Sequence, residues 1–141
     1  MPAEFNEGGI RLQYPENWTL TKEPTEEGWT VMIQSPETAF LLLTLREDSP
    51  EPELLVETAL AALREDYKEL EADSAVDSLA GQPAIGHDIR FFSLDLTNTC
   101  WTRSIETPQG TLLLMCQFND LESEIHQEVL RAMCASLQID E

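Results

Sequence analysis

The run TCWTRSIETPQGTLLLMCQF, residues 99–118, decides the architecture of this chain. Two segments rich in strand-forming residues flank TPQG, where Pro108 takes the second turn position and Gly110 suits a left-handed residue closing a three-residue loop. The run therefore reads as an antiparallel hairpin. That loop sets a register with Thr107 opposite Thr111, Thr102 opposite Cys116, and Cys100 diagonal to Cys116. A Cys100–Cys116 disulfide would need a different register. The same register gathers Trp101, Leu113 and Met115 on one face, with Phe92 joining from the strand before and Arg90 and Arg103 on the same side. Arg90, Phe92, Trp101, Arg103 and Met115 are the candidate partner-binding residues. Left open, their face is a groove for an apolar segment; covered by a helix, it is core, with the arginine stems snorkelling to its edge.

Working upstream, Ile85, His87, Ile89 and Phe91 alternate onto one face of a longer strand and Arg90 and Phe92 onto the other, and DLTN turns that strand into the hairpin. Ala75, Val76 and Leu79 form a short strand ahead of the turn AGQP. Before them the period changes to that of a helix, with Val56, Leu60, Leu63, Tyr67 and Leu70 on one stripe. Ser49 is placed to cap this helix and Pro50 to open it, while Glu51 and Glu53 favour its positive end. AFLLLTL, residues 39–45, is continuously apolar and reads as a central strand covered on both sides. Nearer the N-terminus, Ile10, Leu12 and Tyr14 alternate up to Pro15, and Trp18 and Leu20 resume the pattern. The acidic turn KEPTEEG then leads to Trp29, Val31 and Ile33.

Downstream of the hairpin, Asn119 and Glu122 have the spacing of a capping box. Ile125, Val129, Met133 and Leu137 make an apolar helical stripe that runs to the chain terminus. The order strands, helix, strands, helix predicts an α+β domain, an antiparallel sheet with helices packed on it. At 141 residues one domain spanning 1–141 is expected, with no internal repeat.

Twenty-seven acidic residues against eight basic ones give a formal charge of −19, and the basic residues are scattered from Arg11 to Arg131. A nucleic-acid binder needs clustered Lys and Arg, and an anionic membrane repels such a surface. MPAEFNEGG lacks a basic and apolar leader pattern, and no apolar run approaches the roughly 18 residues of a span. The expectation is a soluble cytoplasmic protein, monomeric or homodimeric. Cys100, Cys116 and Cys134 lie in apolar segments without CxxC or Cys/His metal spacing, which reads as reduced core thiols.

Catalytic chemistry finds little support. His87 is followed by Asp88, but strand neighbours point to opposite faces, so this pair is no catalytic couple and His87 reads as a hydrogen-bonded structural residue. His126 and Glu122 form an i, i+4 pair, two metal ligands at most, so a half-exposed helix histidine is the plainer reading. No catalytic residue, metal ligand or cofactor is assigned. The acidic segments 23–27 and 47–53 read as solvated loops, and their charge as a surface steering a basic partner. Against a binding role stand a small metal-dependent hydrolase built from carboxylates with His87 or His126, and a small-molecule carrier with a closed apolar cavity.

The chain resembles the PsbP-like superfamily, which includes the extrinsic photosystem II protein, a yeast Ran-binding import factor and bacterial DcrB-like proteins. The resemblance rests on IRLQYPENW (10–18), GWTVMIQSP (28–36), AFLLLTL (39–45), LAGQPA (79–84) leading into a long hairpin, and a closing helix after a strand ending in QFND (117–120). It covers nearly the whole chain. It implies an α/β/α sandwich around an antiparallel sheet and a non-enzymatic role binding other proteins. A cytoplasmic chaperone branch that holds apolar segments of secreted effectors is similar in size.

Overall fold

In the computed structural model, which describes residues 2–121 and 123–140 with only the backbone of Ser123, the hairpin at 99–118 forms with a tighter turn than expected. Its strands are β8 (Leu96–Thr107) and β9 (Gly110–Asn119), and Thr107 pairs with Gly110 across a two-residue turn. The Thr107 hydroxyl holds that turn, accepting the N–H groups of Gln109 and Gly110, each at 3.1 Å, and donating to the Gly110 carbonyl at 2.8 Å. A side chain at Gly110 would run into the Arg46 carbonyl of the neighbouring strand, so this glycine sits inside the sheet and not in the loop. The register therefore slips by one residue from the expected one. Thr102 faces Met115 and Trp101 faces Cys116, so every β9 side chain exchanges faces relative to β8.

Around this hairpin a seven-stranded antiparallel sheet assembles in the order β3-β4-β5-β9-β8-β7-β6. Its remaining strands are β3 (Thr19–Thr25), β4 (Gly28–Gln34), β5 (Phe40–Arg46), β6 (Leu70–Leu79) and β7 (Gln82–Ser93). A second, three-stranded sheet places β2 (Ile10–Tyr14) between β1 (Ala3–Glu7) and β10 (Gln138–Ile139). Neither β1 nor β10 follows from sequence pattern. β1 has one buried apolar residue, Phe5, whose ring meets Trp29 edge-on at 5.3 Å. β3 runs through the segment expected to be an acidic turn, because at a sheet edge Pro24 forfeits no ladder bond. β6 likewise extends to ten residues where a short strand was expected, starting at Leu70.

Helix α1 (Pro52–Asp66) covers one face of β7–β9, hereafter the α1 face, where Leu60, Leu63 and Tyr67 meet Ile89, Phe91, Cys100 and Met115. Tyr67 stacks on Phe91 at 4.1 Å. The helix opens at Pro52, one turn signal later than Pro50, since Ser49 has a left-handed φ of 52° and its hydroxyl turns back to the Glu47 carbonyl. Tyr67 closes it through a bond from its N–H to the Leu63 carbonyl, so Leu70 lies beyond the helix.

Helix α2 (Ser123–Ala135) and the small sheet cover the opposite face, the α2 face, over β4, β5 and β9. Here lies the main core: Ile10, Leu12, Val31, Ile33, Leu41, Leu43, Leu112, Leu114 and Leu130 are fully buried. The helix buries His126, Leu130 and Met133, and Leu137 follows just after it. Ile125, expected in the stripe, is 72% exposed. Packing of the His126 ring edge-on against Trp18, centroids 5.8 Å apart, sets this rotation. The proposed Glu122 cap lies outside the described residues. Asn119 is the last residue of β9, and its side chain accepts the Leu121 N–H and donates to Thr38. β5 is central as expected, but only its α2 face is fully covered. Phe40, Leu42 and Thr44 on the other face stay half-buried beyond the reach of α1.

Candidate functional site

Alternation along β7 and β8 puts Gly86, Asp88, Arg90 and Phe92 on the α2 face together with Trp101 and Arg103. The matching positions of the edge strand β6 are Glu71, Asp73, Ala75 and Asp77. Apart from Trp101 and Phe92 this half of the face carries charged or small side chains and offers no continuous apolar stripe for a helix to bury, and α2 lies over β9 and leaves it open. Four of the five candidate residues, Arg90, Phe92, Trp101 and Arg103, thus share one open surface. Met115 does not join them. The slipped register turns it to the α1 face, where it packs beneath α1.

Between this open surface and the C-terminal end of α2 runs an open cleft of about 810 Å³. Arg103 forms its floor: one terminal nitrogen donates to the carbonyls of Thr102 (2.8 Å) and His87 (3.2 Å), and the other reaches Asp88 at 2.8 Å and Asp77 at 3.8 Å. Arg131 projects from α2 over the Trp101 ring, 4.7 Å from its centroid, and the ring's edge packs against Phe118. Arg11 enters because β10 pairs with β2, and its guanidinium bonds Asp140 at 2.9 Å. Three of the eight basic residues of a strongly acidic chain therefore line one cleft. Arg90, at the outer edge, lies 3.6 Å from both Glu71 and Asp73.

Cys134 lines the same cleft, and its sulfur lies 3.7 Å from that of Cys116 on β9. The hydrogen bond with Cys116 lowers the pKa of the Cys134 thiol; burial opposes this, Arg103 and Arg131 reinforce it, and Asp77 works against it. Complete burial, and that same hydrogen bond, push Cys116 well up. Cys100 is on the α1 face, where burial raises it to about 12. All three are free thiols.

The two histidines lie on opposite sides of the sheet and share no site. His87 is buried under α1 with Nε2 3.4 Å from a Glu57 oxygen, while Asp88 points to the other face and binds Arg103. His126, expected half-exposed, is buried against Trp18, 3.6 Å from Glu37. Among the described residues, no group of three or more His, Cys, Asp or Glu side chains is placed to hold a metal ion, and no helix is long and apolar enough to cross a membrane.

Sequence reasoning missed Arg11, Arg131 and Cys134 as members of the site. Each occupies an ordinary polar or apolar position of its own element, and no local pattern joins residues 11, 103 and 131.

No protein-family model and no curated protein matches the chain. Solved structures do match over its whole length. Cyanobacterial PsbP (CyanoP) from Synechocystis sp. PCC 6803 superposes with a TM-score of 0.65 at 9% identity, covering 99% of this chain and 92% of that one. LpqN, involved in cell envelope biogenesis of Mycobacterium tuberculosis, gives 0.58 at 15% identity, covering 100% and 90%. A protein of Bacteroides thetaiotaomicron VPI-5482 gives 0.61 at 12% identity, and this chain spans 48% of its length. The chain is similar to these proteins in fold: an α+β sandwich of PsbP-like architecture, with a seven-stranded antiparallel sheet and two helices.

Proposed function

We propose that this chain is a non-catalytic protein-binding module, an adaptor or chaperone-like protein of the cytoplasm, monomeric or homodimeric. It holds an extended segment of a partner against the open half of the α2 face. The observation that carries this reading is the cleft of about 810 Å³ at that surface, where Trp101 offers an aromatic ring and Arg11, Arg103 and Arg131 offer donors beside Asp77 and Asp88. An aromatic anchor set among paired charges is the composition of a protein-recognition surface. Arg90 and the 60% exposed Phe92 extend it along β7. The charges select register and partner, and binding through them weakens as salt rises.

The test is affinity capture from native lysate with the folded chain as bait, run beside Trp101→Ala and Arg131→Glu baits at low and moderate salt. The reading expects one stoichiometric partner on the unaltered chain, depleted on both variants while their circular dichroism is unchanged. A partner retained equally by both variants, or none at either salt, overturns it.

A further inference from the structure

We propose that Cys134 and Cys116 are a hydroperoxide-reactive thiol pair that closes to an intramolecular disulfide between α2 and β9. The two sulfurs already touch at 3.7 Å, so a bond of about 2.0 Å requires them to approach by about 1.7 Å. Cys134 is the penultimate residue of α2, next to the closing turn where the Ser136 N–H is shared by the Ala132 and Met133 carbonyls, whereas Cys116 lies inside the sheet. The roles follow from position. Cys134 forms part of the cleft wall, lies in hydrogen-bond contact with the Cys116 sulfur and has Arg103 and Arg131 in the same cleft, the surroundings that favour a thiolate. Cys116 lies directly beneath it, out of reach of solvent.

The Cys134 thiolate attacks the outer oxygen of the hydroperoxide; the O–O bond breaks, the leaving alkoxide takes a proton, and a sulfenic acid is left on Cys134. The Cys116 sulfur then attacks the Cys134 sulfur as its thiol proton is lost. The S–O bond breaks and hydroxide leaves as water. Two thiols and one hydroperoxide thus give one disulfide, one alcohol (water, from hydrogen peroxide) and one further water. Cys100 is an internal control, since it lies on the other face of the sheet away from both. The pair stands independently of the partner reading, although oxidation pins the helix end that walls the cleft.

The folded chain, first reduced, is treated with hydrogen peroxide, then denatured in the presence of N-ethylmaleimide so that every remaining thiol is blocked, and digested for mass spectrometry. The expected product is a Cys116–Cys134 cross-linked peptide with Cys100 carrying the maleimide. In Cys116→Ser the sulfenic acid has no resolving thiol, so dimedone labelling of Cys134 should rise severalfold over the unaltered chain. In Cys134→Ser, Cys116 should stay unoxidised. The cross-link in the unaltered chain needs no variant and stands even if one fails to fold. A bridge that includes Cys100, oxidation of Cys134 without a bridge, or three thiols still open to maleimide overturns the proposal.

Discussion

Replacing Gly86 by Ala tests the close approach of β7 and β8 beneath the open surface. Such a change in a strand ordinarily stabilises by about 0.4–1 kcal/mol, through a less flexible unfolded chain, where the native backbone accepts it. Here it does not. A Cβ on Gly86 would overlap the Thr102 carbonyl oxygen, sit 2.5 Å from its carbon and come within 3.1 Å of the Arg103 Cα. These are backbone atoms of a paired strand, so relief requires β7 and β8 to part by about 2 Å to bring the Thr102 oxygen to ordinary contact distance. That displacement strains the bond from His87 N–H to the Thr102 hydroxyl (3.0 Å) and the bond from Arg103 to the His87 carbonyl (3.2 Å). Overpacking strain of about 1–3 kcal/mol, with two hydrogen bonds of about 1 kcal/mol each partly lost, outweighs the entropic gain. A net loss of about 2–3 kcal/mol is expected. In urea, with a slope near 2 kcal/mol/M, the unfolding midpoint read by tryptophan fluorescence should fall by roughly 1 M. Gly81→Ala is the comparison: its φ is +78° with nothing within 4 Å, so it loses only the left-handed backbone preference, about 1 kcal/mol. A Gly86→Ala midpoint that is unchanged or higher would refute the close approach and the register built on it.

Leu43→Ala, at a fully buried position of β5, should cost about 3–5 kcal/mol in the same urea assay; a loss below 1 kcal/mol would mean that the α2 face is not the main core. Phe5→Ala should cost about 3 kcal/mol and red-shift the Trp29 emission, whereas a neutral result would show that β1 does not pack on the sheet. Arg46, bonded through two nitrogens to Asp48 at 2.9 and 2.7 Å, holds the Asp48 carboxyl below its ordinary value. Its contribution to stability is present above the unfolded pKa, about 3.9, and is lost as pH falls through the lower folded value. A carboxyl titration by NMR should show this depression and its disappearance in Arg46→Ala.

Elements whose burial repeats with a clear period were legible from the residues. The run 85–91 alternates because one side packs under α1 and the other meets solvent, and α1 itself shows in Val56, Leu60 and Leu63. Where a single contact decides, pattern reading was blind. Phe5 alone cannot announce a strand until Trp29 is in place. The turn at 107–110 loses one residue to a threonine hydroxyl and a neighbouring carbonyl, and that residue moved Met115 to the other side of the sheet. The rotation that exposes Ile125 and buries His126 is set by Trp18, more than a hundred residues away.

By itself the amino-acid order determined an α+β domain: an antiparallel sheet, two amphipathic helices, a long hairpin and a strongly acidic surface. Those properties come from local periodicity and summed charge, which do not depend on who the distant neighbours are. The cleft was decided only by the tertiary structure. Arg11, Arg103, Arg131 and Cys134 meet because β10 closes on β2 and α2 stops short of β7, where charged side chains leave no continuous apolar stripe to cover. That convergence is a long-range packing outcome, and no window of sequence contains it.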